Sequence, residues 1–146
     1  MATRYALAGA MRTAAVDLLR GFATQEVIGL SVYRARPARL QTPHAFIDRL
    51  RERDAYVGPT NIQRVIQADV LVVWGLFDSG DAIDQRDRFV DGFGAYVAER
   101  HDAAGPNTLI SHTSFEDLPV WTPDWFPDEQ PTYFATRITL EGYAET

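Results

Sequence analysis

The chain has 146 residues, enough for one domain with a sizeable core. Apolar residues make up 46% and charged residues 23%, which excludes a disordered chain, and the net charge of −6 argues against a surface built to wrap nucleic acid. There is no cysteine, so disulfides and thiolate metal sites are excluded.

The first residues lack the apolar core of a signal peptide and no run approaches membrane-span length, so the expected compartment is the cytosol of the producing cell. From Arg4 to Phe22, the apolar residues Leu7, Met11, Ala14 or Ala15, Leu18 and Phe22 recur at helical spacing, predicting a first helix ended between Gly21 and Gly29. Leu30 to Arg36 alternates and stops at Pro37, as a short strand does. Gln41 to Asp54 reads two ways. Thr42 before Pro43 resembles a helix cap, while Phe46, Asp48 and Leu50 suit one face of a half-buried strand, which Gly58-Pro59-Thr60-Asn61 would turn back as a hairpin. The strand reading is the one adopted.

Ile62 to Leu76 is the longest apolar run. Ile62, Ile66, Ala68, Val70, Val72, Trp74 and Leu76 alternate on one face, broken only by Arg64, and Gln63, Gln67 and Asp69 make the other face wet. That second face turns apolar at Leu71 and Val73, which calls for cover from this chain or from a neighbouring subunit. At about 3.3 Å per residue the strand would span roughly 50 Å, so a bend or an overhang is expected. A second helix follows from Asp78 or Asp81 to Arg100, capped by Ser79 or Asp81, with Ile83, Phe89 or Val90, Phe93, and Tyr96 or Val97 as its apolar stripe. Gly92 and Gly94 inside it predict the close approach of another backbone, that of the sheet, and Gly105-Pro106 ends it. Thr108 to Phe115 and Tyr133 to Glu141 are strands, the latter with Phe134, Ile138 and Leu140 on one face. The four prolines from Pro119 to Pro131 make the intervening stretch an aromatic-rich loop. The expected fold is therefore α+β: one domain over residues 1–146, a mainly antiparallel sheet of about four to five strands with two helices packed on one face.

Little in this chain spells out chemistry. His44, His101 and His112 share no metal-ligand spacing. Asp78, Asp81, Asp84, Asp87 and Asp91 lack the ligand alternation of a calcium loop and read as a helix cap with a solvated face. No phosphate-binding loop, nucleophile elbow or dinucleotide fingerprint is present, so no catalytic, cofactor or metal residue is assigned. The candidate interface residues are Leu71 and Val73 on the long strand and Trp121, Trp125 and Phe126 in the proline-rich stretch. Those aromatics are either a lid over the chain's own core or anchors between subunits, with a ligand-pocket wall as a third reading.

Gln67 to Gly80, Gln85 to Phe93, Ala104 to Ile110 and Tyr133 to Gly142, with Arg36-Pro37 and Ala45 to Asp48, resemble the tail terminator proteins of long-tailed bacteriophages with high-GC hosts. The resemblance implies a virion subunit with no catalysis and no cofactor. It implies a homohexameric ring that caps the tail tube, ends its polymerisation and meets the head-completion proteins. Genomic DNA would pass through the ring without specific binding, helped by the acidic balance of each copy, and no membrane is involved. Another head-tail joining or tail tube protein is the nearest alternative, and a small α+β ligand-binding domain or enzyme is the alternative from another class.

Overall fold

The computed structural model of the protein describes residues 4–26, 28–38, 43–56, 62–76, 80–104, 108–123 and 132–145. Its elements run α1 (Arg4–Gln25), β1 (Ser31–Tyr33), β2 (His44–Tyr56), β3 (Ile62–Leu76), α2 (Gly80–Glu99), β4 (Thr108–Trp121) and β5 (Tyr133–Glu145). The strands form one sheet in the order β1-β2-β3-β5-β4, in which only β1 and β2 are parallel. Both helices lie on one face, giving the expected α+β arrangement.

The alternation read on β3 sets the core. Ile66, Ala68, Val70, Val72 and Trp74 are buried against the helices, joined by Ala45 and Ile47 of β2 and by Ile138 and Leu140 of β5. Gln41 to Asp54 resolves as strand over the part described, and β2 pairs with β3 as an antiparallel hairpin whose turn lies outside the described residues. One detail differs from the sequence reading. A bulge between Ile47 and Arg49 inserts Asp48 as an extra residue, so Phe46 and Leu50 point to opposite faces rather than sharing one. The expected bend is present, with register shifts at Ile47/Arg49 and Val73/Gly75, and β3 runs past β2 only beyond Val73, where β5 still accompanies it to Leu76.

The α1 helix buries Met11, Ala14, Ala15, Leu18, Leu19 and Phe22. Its outer arginines strap β1: Arg20 donates to the Val32 carbonyl at 3.1 Å and Arg12 to that of Arg34 at 3.0 Å. On α2 the buried residues are Ala82, Phe89, Phe93 and Val97, whereas Ile83 is 47% exposed, one position off the expected stripe. The helices meet through aromatic rings. Phe89 stacks on Phe93 at 4.7 Å between centroids and takes Phe22 and Trp74 edge-on at 5.2 and 5.4 Å. Gly92 faces the Phe22 ring, not the sheet backbone as expected: a Cβ there would lie 2.9 Å from Phe22 Cζ. Gly21, within α1 rather than at its end, faces the Tyr96 hydroxyl in the same manner. Each helix thus gives up a side chain where the other presents an aromatic.

Strand β4 runs further than expected. Pro119 and Trp121 belong to it, because β4 is an edge strand and a bulge between Leu118 and Trp121 accommodates the missing N–H. The caps expected at Ser79 and at Gly105-Pro106 lie outside the described residues. Among the described residues no helix is long and apolar enough to cross a membrane.

A polar chain ties the two layers together. Trp74 Nε1–H donates to Thr136 Oγ1 at 2.9 Å, the Thr136 hydroxyl donates to Asp117 at 3.0 Å, and Arg86 of α2 grips Asp117 through Nε and a second nitrogen. Those hydrogen bonds from Arg86, first to Asp117 and then to Asp87, hold its guanidinium above the ordinary arginine range. A raised pKa means that the contribution of Arg86 is fully present below the ordinary arginine value, so the guanidinium itself stays charged. Asp117→Ala is expected to lower stability by about 1–2 kcal/mol, because the buried Thr136 hydroxyl loses its acceptor. Urea unfolding checks this, and an unchanged midpoint would show the chain to be ornamental.

Candidate assembly surface on the helix-free face

The face of the sheet away from the helices has two halves, set by the bulge in β2. Before Asp48, His44 and Phe46 stand opposite Val73 and Leu71; after it, Arg49 and Arg51 stand opposite Asp69 and Gln67.

The first half is a small second core. Phe46, Leu71, Val73 and Ala135 are buried together, and Tyr33, Leu118, Trp121 and Tyr133 pack around them. His44 is fully buried and stacks on Phe46 at 5.7 Å. Trp121 leans on Phe46 and Tyr133 at 6.4 and 6.3 Å between centroids. Leu71 and Val73, read from sequence as candidate interface residues, are 2% and 0% exposed. Their apolar patch is closed by aromatics of the same chain, so neither offers a surface to a neighbour. Trp121 is half-buried and serves as part of that cover. Trp125 and Phe126 lie outside the described residues.

The second half is charged. Arg36, Asp48, Arg49, Arg51, Asp69, Glu116, Arg137 and Thr139 line a depression of about 350 Å³. Asp69 sits at its floor with a side chain 7% exposed, held by Arg51 at 3.0 Å, Arg49 at 3.7 Å and the Thr139 hydroxyl at 3.5 Å. A carboxylate this buried must be paired, which explains why the expected wet face is closed over Asp69. Glu141 repeats the pattern one rung away, accepting from Gln67 at 2.8 Å and from the Tyr143 hydroxyl. At the rim, Arg36 pairs with Asp48 at 2.8 Å and Arg137 with Glu116 at 3.3 Å.

The arginine side chains stay open to solvent, 63% for Arg49, 47% for Arg51, 46% for Arg36 and 40% for Arg137. Each guanidinium carries five N–H groups, so the contacts of Arg49, Arg51 and Arg137 leave donors for another carboxylate or phosphate. Four of the chain's fourteen basic residues gather here, in a protein with net charge −6. Sequence reading missed this basin. Its signal was the period-two pair Arg49 and Arg51, hidden by the bulge that brings it into phase with Asp69.

The other sequence candidates do not converge. His101 lies in the turn after α2, where its carbonyl accepts from Ile110 N–H at 2.7 Å, remote in register from buried His44. The His112 side chain and Asp78 lie outside what is described. Asp81, Asp84, Asp87 and Asp91 are exposed on α2, and no group of three or more metal-ligating side chains occurs among the described residues. No protein-family model and no curated protein matches this chain.

Proposed function

We propose that the protein is a structural subunit of a bacteriophage tail, the tail terminator, located in the virion at the head-tail junction. It closes as a homohexameric ring on the finished tube, ends tube growth and receives the head-completion protein, while DNA passes through the lumen without specific binding. The supporting observation is where the resembling segments fall. Gln67 to Gly80, Gln85 to Phe93 and Tyr133 to Gly142 cover most of β3, the middle of α2 and most of β5, which pack on one another at the centre of the fold. The charged half of the helix-free face fits a protein that works through contacts between polar surfaces rather than through a reaction.

Negative-stain microscopy of purified protein, alone and added to growing tubes, tests the reading. Closed rings, or tubes stopped at the length they had on addition, are the expected result. Monodisperse monomers at high concentration that leave tube growth unchanged would sink it. Unlimited stacking of rings would instead assign the protein to the tube itself.

A further inference from the structure

The ring reading leaves open which surfaces of adjacent copies meet, and the charge distribution assigns one pair. We infer that the arginine basin of one copy receives the acidic stripe of α2 from the next copy.

The stripe is freed by its own helix. Arg86 turns inward to Asp117, and Arg88 donates to the Glu26 carbonyl, so both arginines interleaved with the acids are engaged at home. Asp81, Asp84 and Asp91 are exposed and make no ion pair among the described residues. At 100° per residue the three fall within about 80° of one another on the helix surface. Asp84 and Asp91, seven residues apart, are separated by about 10 Å along the axis.

The basin has the complementary spacing. Arg49 and Arg51 on β2 and Arg137 on β5 are two strand positions apart, because β3 lies between β2 and β5. At about 4.8 Å per strand this is again about 10 Å. An α2 helix laid across the strands would therefore set Asp84 and Asp91 over the two arginine groups, each carboxylate within reach of a guanidinium fork. Basin and stripe lie on opposite faces of the sheet, so the contact is head-to-tail and propagates from copy to copy. A rotation that closes gives a ring, and one that does not gives a filament.

Charge reversal on each side and in combination is the test, read by sedimentation velocity at low and high salt, with circular dichroism to verify folding. Arg49 is the basin position to change, since Arg51 still holds Asp69 without it. Arg49→Glu with Arg137→Glu, and separately Asp84→Arg with Asp91→Arg, are each expected to weaken self-association at least about tenfold. The four changes on one chain should recover most of the loss, and wild-type association should weaken with salt. Wild-type association in both reversed proteins would overturn the docking and leave the ring reading standing on another surface. Loss in the basin variant alone would overturn α2 as the occupant and point to a different anion. Absence of association in the wild type would remove docking and ring together.

Discussion

Phe89→Ala is expected to lower the unfolding free energy by about 3–5 kcal/mol, the range for deleting a buried aromatic without repacking. Phe89 is fully buried where the two layers meet, touching Phe22 of α1, Phe93 of its own helix, Trp74 of β3 and Phe115 of β4. Its removal leaves a cavity bordered by rings from four elements. Of these rings Phe22 is held against Gly92, and Tyr96, which meets Phe22 edge-on, is held against Gly21, so collapse of the helices into the space is restricted. Thermal or urea unfolding monitored by circular dichroism reads the effect. A loss under 1 kcal/mol would mean that the aromatic cluster repacks freely and that the helices are not locked by it.

Trp121→Ala comes next, with an expected loss of about 2 kcal/mol, below the fully buried range because the side chain is half-buried. The indole covers Phe46 and abuts Tyr133, so its loss exposes Phe46 and the Leu71 and Val73 patch beneath. Self-association should persist once folding is restored by lower temperature. An unchanged melting temperature with abolished association would reverse the assignment and make Trp121 an anchor between subunits. Near-ultraviolet circular dichroism and sedimentation on the same sample separate these outcomes.

The layer architecture was legible in the sequence because β3 alternates cleanly from Val65 to Val73, β5 alternates along its length, and the stripe of α1 keeps helical spacing. The α2 stripe was nearly so. Ile83 and Ala82 compete for the inward position, and the small Ala82 goes in because the large rings at 89 and 93 fix the helix rotation. Bulges account for most of what was not legible. A period-two pattern assumes an unbroken pleat, and one inserted residue at Asp48 moves every later side chain of β2 to the other face. Leu71 and Val73 were correctly read as needing cover. The lid reading of Trp121 is borne out, and what could not be read was that Tyr33, Phe46, Leu118 and Tyr133 join it in the cover. Proline likewise misled at 119, since its bar on pairing applies to one edge of a strand and β4 has a free edge.

Asp48 makes β2 a strand written in two phases, and the bulge at that residue is what keeps Arg49 and Arg51 on the solvent side. Deleting Asp48 would join Ile47 directly to Arg49, and these two already face opposite sides, so the pleat would close unbroken with both arginines still toward solvent and Leu50 still under the helices. Deleting a residue further along the strand has no such remedy, because it turns everything beyond it to the wrong face. Loss of a residue in a lineage of such proteins should therefore be found at this position of β2 before any other.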